Sequence, residues 1–523
     1  MTPDSPITVA APSMQADLAI VEEWDAGLAS ANPLAFPGYG PPDEGGESVR
    51  TGAAVVGGRR VAVIECRFDI LGGTMGAVAG ERIVRAFARA TDQRLPVVEY
   101  VASGGARLQE GMIALIQMAR TASAAAVHGH AGLMSAAVLR APTTGGVYAS
   151  WASLSDVRAA APGAVIGFGG PRVVAEVTGE WPPADSHTAE SAYRNGLVDA
   201  LVSPDGQAAW LAAAVGIGAG RPLALPPGRP GRPAEVPHGP SSGPAVGPGG
   251  AYLVLLRARD AARPSGLDWA AWLTSDWVEL RGGDASIRAA LATVAGQRCA
   301  VIAMDRHAFG DAAAKQGPGA FRLAQRAIRL ADRLGLPVLT LIDTPGADPS
   351  PASEAAGLAG EIARTLLAMS QLRGVSVAVC VGEGGSGGAM ALGHADRLLL
   401  LGGAVFSVIG PEAGAAVLYR DRARAPELTG ALRVTAPDLL RLGVIDAVVP
   451  ETVAAVRQAI ALSFDQARAG DRLARAYQAT ATALRDGAAV IRLPTGIDRR
   501  REDEQRSRQC RRLSPRPVTT GSG

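Results

Sequence analysis

Apolar positions recur every three to four residues over 80–92 and 319–334, and each stretch stops just before a Leu-Pro pair. That spacing predicts amphipathic helices. Continuous apolar runs follow at 97–102 and 338–343, then a glycine turn, then a second helical pattern over 109–126 and 353–372. A further apolar run (134–139; 376–381) leads into another glycine turn and a third helix. Strands of about six residues alternating with longer helices predict an α/β fold with right-handed crossovers.

The pattern occurs twice because the chain repeats itself. Ala86-Phe87 through Leu95-Pro96-Val97 matches Ala327-Ile328 through Leu336-Pro337-Val338 at an offset of 241, and Gly105-Ala106 falls on Gly346-Ala347 at the same offset. Gly163-Ala164-Val165 and Gly170-Pro171 match Gly403-Ala404-Val405 and Gly410-Pro411 at 240. Near the ends, VDALV (198–202) answers IDAVV (445–449). A nearly constant offset over so long a stretch marks a tandem duplication. Between the copies, residues 221–250 hold nine Pro and seven Gly, which predicts a semi-extended linker.

Composition narrows the class. Of 523 residues, 48% are hydrophobic and 19% charged, which suits folded cores and not a disordered chain. Net charge is +2, but 498–523 carry eight Arg and four acids, so the rest of the chain is at −2. Such a body is not built to coat nucleic acid. Residues 1–13 read as a loose leader, and 498–523 as a disordered basic tail. Cys66, Cys299, Cys380 and Cys510 are scattered, with no CxxC pair. This excludes a disulfide framework and a local zinc ribbon, and it suits a reducing, cytoplasmic setting. The longest apolar run, 398–409, spans 12 residues, short of the roughly 20 of a membrane helix. The N-terminus shows no basic segment of a signal peptide.

The candidate chemistry lies in the glycine turns. The first half has Ser103-Gly104-Gly105-Ala106 and Thr143-Thr144-Gly145-Gly146-Val147; the second has Thr344-Pro345-Gly346-Ala347 and Gly384-Gly385-Ser386-Gly387-Gly388. Any one of them is equally well explained by tight packing at a strand end. Four in register across a repeat weaken that explanation. A glycine pair opening a helix offers backbone N–H groups backed by the helix dipole. Two such turns facing each other make an oxyanion hole, suited to a thioester enolate or a urea oxygen. Gly384 to Gly388 also match the GxSxG nucleophile elbow around Ser386, but the last histidine, His394, follows by only eight residues and leaves no downstream base. The GxGxxG dinucleotide fingerprint is absent at these turns, and the six histidines form no metal-binding cluster, so no metal is expected.

Longer strings carry a family resemblance. GGTMGAVAGERIVRAF (72–87), ASGGARLQEGMIALIQMARTA (102–122), PTTGGVYASWASLSDV (142–157) and PGAVIGFGGPRVV (162–174) resemble the β subunit of bacterial acetyl-CoA carboxylase carboxyltransferase. IDTPGADP (342–349), GEGGSGGAMALG (382–393) and FSVIGPEAGAAVLYRD (406–421) resemble its α subunit. The resemblance covers residues 50–205 and 297–455. It implies a β–α fusion: two tandem crotonase-like (ClpP/crotonase) domains, a duplicated ββα superhelix, with a β-like domain over 1–220, the linker over 221–250 and an α-like domain over 251–497.

The resemblance also implies a reaction. Carboxybiotin on a carrier protein would donate its carboxyl group to acetyl-CoA to give malonyl-CoA, with the biotin nitrogen taking the α-proton, so no side-chain acid–base pair is needed. Gly145 and Gly146 with Gly104 and Gly105 would serve acyl-CoA, and Gly387 and Gly388 with Gly346 and Ala347 would serve biotin. Sites would form where a β-like half meets an α-like half across a homodimer. Lys315, the only lysine, lies in AAAKQG and not in the Met-Lys-Met setting of a biotinylated lysine. Biotin must therefore arrive on a separate biotin carboxyl carrier protein, loaded by a biotin carboxylase. Lys315 and Arg107 are candidate partners for an anionic group of the substrate; the competing roles are a surface lysine and a structural salt bridge. The chain departs from the family in three respects: it lacks a four-cysteine zinc ribbon, Ala141 replaces an Asp, and Asp348 and Ser350 replace the Tyr and Gly of TPGAYPG. These leave open a different acyl group, a decarboxylase running the transfer backwards, or a catalytically silent scaffold.

Overall fold

The structure, a computed structural model, describes residues 18–28, 34, 36, 39, 46–233, 248–310 and 313–481. The leader at 1–13, the tail at 498–523 and Cys510 lie outside them. The first half contributes β1 (Glu22–Trp24), β2 (Val49–Val56), β3 (Arg59–Cys66), β4 (Val97–Ser103), β5 (Ser135–Thr144), β6 (Val157–Ala160), β7 (Ile166–Gly167) and β8 (Ala200–Leu201). The second contributes β9 (Thr274–Leu280), β10 (Ile287–Val294), β11 (Gln297–Met304), β12 (Val338–Thr344), β13 (Ser376–Gly385), β14 (Arg397–Leu401), β15 (Val405–Ser407) and β16 (Ala447–Val449). One sheet runs β1-β2-β3-β4-β5-β6-β8 with β7 paired to β5; the other runs β9-β10-β11-β12-β13-β14-β16 with β15 paired to β13. Adding eight to each strand number turns one sheet into the other. The duplication read from sequence is thus a duplication of topology, and the α/β class holds.

Register repeats as closely as order does. Val97 pairs with Ser135 as Val338 pairs with Ser376, and both β4–β5 and β12–β13 break register at the same step, Val101 to Ser103 and Ile342 to Thr344. That break sits where each first glycine turn leaves its strand. The parallel strands are buried on both faces, which is why they read as apolar runs. Each sheet also opens with antiparallel strands that the helix–strand alternation did not disclose. Gly57-Gly58 and Ala295-Gly296, all at positive φ, make two-residue turns joining β2 to β3 and β10 to β11.

The helix Ala77–Asp92 buries Ala79, Ile83, Ala86, Phe87 and Ala90, the spacing expected of one apolar face. Its counterpart Pro318–Leu334 buries Phe321, Ala324, Ala327, Ile328 and Ala331. The predicted helix over 353–372 is instead two, Pro351–Ala355 and Leu358–Gln371, divided at Gly357 with φ +82°. The halves share one core: Val61, Val98, Tyr100 and Val138 of the first cluster with Trp269, Leu291, Ile302 and Leu341 of the second. At the seam, Arg326 holds the buried Asp199 carboxylate at 2.7 and 2.9 Å, and Arg333 pairs with Asp156.

The linker is less free than its composition suggests. Leu223 joins the shared core. Arg229 holds Asp268 at 2.8 Å and Asp305 at 2.6 Å. Residues 248–250, expected in the linker, open the helix Pro248–Ala258. Residues 234–247 lie outside the described residues.

Candidate functional site: two pairs of glycine turns

In the first half the turn after β4 meets the turn after β5 backbone to backbone. A Cβ on Gly105 would lie 3.0 Å from Gly145 Cα and 3.2 Å from Gly146 N, and one on Gly145 would lie 2.9 Å from Gly105 Cα. Both residues have positive φ, +108° and +61°. Glycine is required at both by closeness and by conformation. The structure therefore brings Gly104, Gly105, Gly145 and Gly146 together.

Their N–H groups are not equal. Gly104 N–H donates to Gly72 O at 2.9 Å, Gly105 N–H to Ser103 Oγ at 3.0 Å, and Gly145 N–H to Phe168 O at 2.9 Å. Those three glycines shape the turns, and their donors are spent. Among the described residues, the N–H groups of Ala106 and Gly146 have no acceptor. Gly146 opens the helix Gly145–Tyr148, where first-turn donors lack an intrahelical partner. A Cβ on Gly146 would stand 3.5 Å from Ala106 Cβ, so the two open donors are neighbours. Sequence reasoning passed over Ala106, although the repeat aligned it with Ala347.

The second half repeats the arrangement. Gly346 has φ +137°, and its N–H is bonded to Thr344 Oγ1 at 2.9 Å. Ser386, at φ +57°, takes the place of Gly145 at the head of the helix Ser386–Gly393. In strand register Gly387 therefore matches Gly146, and Gly388 matches Val147. A Cβ on Gly388 would lie 2.8 Å from Ala347 N, whereas nothing stands within 4 Å of one on Gly387. The N–H groups of Ala347, Gly387 and Gly388 have no acceptor among the described residues. Ser386 is exposed and has no histidine partner among the described residues, so the elbow-like turn carries no triad.

Arg107 is not available to a ligand, which corrects its expected role in binding an anion. Its side chain is 1% exposed, and its nitrogens are spent on Glu47, Glu110 (3.1 Å), Tyr39 (3.2 Å), Ser48 (2.9 Å) and the Thr74 carbonyl (2.9 Å). Burial works against the Glu47 carboxylate, but Arg107 outweighs it and holds the group below its usual range. Glu110 in turn accepts the Ala77 N–H at 2.6 Å and caps the helix Ala77–Asp92. The salt bridge is structural. Lys315, by contrast, is exposed and precedes Gln316, which pairs with Ala347 of the second turn. The Ser353 and Ser350 hydroxyls, with Lys315 adding to them, hold Asp348 below the usual carboxylate range. Asp348 thus belongs to a local cap: Ser350 and Ser353 donate to it at 2.7 and 2.5 Å. Sequence reasoning missed Asp343, immediately before the Thr344 to Ala347 turn, whose carboxyl burial pushes up to about 6 despite Arg306.

No group of metal-ligating side chains occurs among the described residues, and no helix there is long and apolar enough to cross a membrane. The buried thiols of Cys66 and Cys299 are pushed up to about 12 by burial, so neither is a nucleophile.

Comparison with known proteins agrees with this architecture. Residues 253–485 match the family described as acetyl co-enzyme A carboxylase carboxyltransferase-like. The chain is 43% identical over 418 residues, 77% of its length and 73% of the relative's, to acetyl-coenzyme A carboxylase carboxyl transferase subunits beta/alpha of Salinispora arenicola. It is 39% identical over 461 residues, 87% of its length and 89% of the relative's, to a probable biotin-dependent acyl-coenzyme A carboxylase beta3 subunit of Mycobacterium bovis. In fold it is similar to transcarboxylase 12S, a hexamer solved with methylmalonyl-coenzyme A bound, at TM-score 0.70 and 21% identity over 86% of this chain and 88% of that one. Both halves thus have the crotonase-like fold, and the chain belongs to the carboxyltransferase subunits of the biotin-dependent acyl-CoA carboxylases.

Proposed function

We propose that this carboxyltransferase acts on acetyl-CoA to form malonyl-CoA, using biotin presented by a separate carrier protein. The observation that carries the reading is the pair of turns with open backbone donors, one in each half: Ala106 with Gly146, and Ala347 with Gly387 and Gly388. In this reading the first pair holds the thioester oxygen and stabilises the enolate that develops when the α-proton leaves. The second pair, Ala347 with Gly387 and Gly388, holds the neutral ureido oxygen in this reading. Biotin, when bound, supplies the carboxyl group and a ring nitrogen able to accept that α-proton. The chain's own work is orientation and charge stabilisation. Fixed dipoles need not reorganise as charge develops, so each lost donor costs about 10²–10³ in rate.

Lys315 stands beside the second turn and is our candidate for steering a carboxylate towards it. Exposed apolar surfaces in both halves support a homodimer: Leu108, Met112 and Ile116 in and just before the helix Gly111–His130, and Val408, Val417 and Leu418 in and just before the helix Pro411–Tyr419. Incubation of the purified protein with malonyl-CoA and biocytin tests the reading. Biotin-dependent decarboxylation is expected; a folded protein without it contradicts the proposal and supports the scaffold reading. A carboxylated carrier offered acetyl- or propionyl-CoA then decides chain length and direction.

A further inference from the structure

The second glycine turn of the second half, Gly384 to Gly388, is held from behind by a charged clamp that its counterpart in the first half, Thr143 to Val147, lacks. Glu383 lies on β13, three residues before Ser386, and is 2% exposed. Its N–H donates to Asp343 Oδ1 at 3.0 Å. Its carboxylate takes both arms of Arg259: Nε to Oε2 at 2.9 Å and Nη2 to Oε1 at 2.7 Å. The remaining Arg259 nitrogen donates to Glu412 Oε1 at 2.7 Å, and the Tyr252 hydroxyl donates to the same oxygen at 3.0 Å. Arg259 follows directly on the helix Pro248–Ala258, the first element after the linker, and Glu412 lies in the first turn of the helix Pro411–Tyr419. One guanidinium therefore ties two helices to the strand that enters the turn. The offset of 241 puts Pro142 where the second half has Glu383, so the first half has no carboxylate there to clamp.

The run beyond Glu383 explains why a clamp matters. Gly384, Gly385, Gly387 and Gly388 have no side chains by which the backbone could be fixed, and glycine loses the most freedom on ordering. Glu383 is the last residue before Ser386 with a side chain to grip. A bidentate guanidinium–carboxylate pair fixes direction as well as position.

We infer that Arg259, acting through Glu383, is a positioning residue for the second glycine turn, and that it sets how tightly that turn holds the biotin ring. The second clause rests on the assignment of that turn to biotin made above; the first does not. Two readouts separate them. Hydrogen exchange needs no activity: Arg259→Gln speeds exchange across 384–389 while leaving 104–107 and 144–148 unchanged. In malonyl-CoA decarboxylation, the same variant raises KM for biocytin about tenfold, as expected for a lost charge-assisted contact, and leaves KM for malonyl-CoA unaltered. Arg259→Lys, which keeps the charge without the fork, folds with the clamp half intact and gives an intermediate value of each. Unchanged exchange at 384–389 in both variants overturns the clamp. Faster exchange with equal rises in both KM values overturns the link to biotin alone. A wild type inactive with biocytin overturns the biotin assignment, while the exchange result still decides the clamp.

Discussion

Gly387 and Gly388 are adjacent, yet their surroundings are opposite. A methyl group on Gly388 would meet the Ala347 backbone nitrogen at 2.8 Å, and one on Gly387 would meet nothing within 4 Å. Gly388→Ala is therefore expected to push Ala347 away and lower decarboxylation by about 10²-fold, the scale of a lost oxyanion donor. Gly387→Ala is expected to fold normally and stay within a few-fold of wild type. Equal rates in the two variants would contradict the geometry. Glu99 offers a second test. Wholly buried on β4 and bonded to Ser155 Oγ at 2.7 Å, its carboxyl is pushed by burial from 4.5 up to about 8. A carboxyl raised on folding favours the folded state while protonated. Its contribution is full below pH 4.5 and declines until about pH 8. Glu99→Gln removes this titration, so the Tm of the wild type should fall more steeply than the variant's between pH 5 and 8. Parallel curves would show that Glu99 does not titrate in that window.

At the scale of elements, the duplicated sheets and their helices were legible because an offset near 241 preserves strand register as well as residue type. The antiparallel openings β2–β3 and β10–β11 left a fainter trace, since their only signals are the short turns Gly57-Gly58 and Ala295-Gly296. The glycine turns were legible as places, but not their donors. Which N–H groups stay open depends on acceptors distant in sequence, such as Gly72 O for Gly104 and Phe168 O for Gly145. Arg107 was ambiguous for the same reason, because Glu47 lies 60 residues away. The seam between the halves was invisible, being made of arginines that look like an ordinary solvated helix face. Arg326 at this seam is a quarter exposed and its partner Asp199 is buried. Arg326→Ala should therefore cost about 2 kcal/mol, below the 3–5 kcal/mol of a fully buried pair. A urea titration reads this; an unchanged midpoint would mean that the core alone holds the halves together.

For the whole molecule, each chain carries one turn pair of each kind, and in our account catalysis needs one of each facing the other across a dimer. Gly146→Val fills the first pair and Gly388→Val the second, and each variant alone should be inactive. Co-expressed, they should form mixed dimers in which one site draws both intact turns from different chains. Random pairing makes half the dimers mixed, each with one working site of two, so about a quarter of wild-type decarboxylation should return. Full activity in either variant alone, or no recovery in the mixture while the wild type is active, would contradict the account.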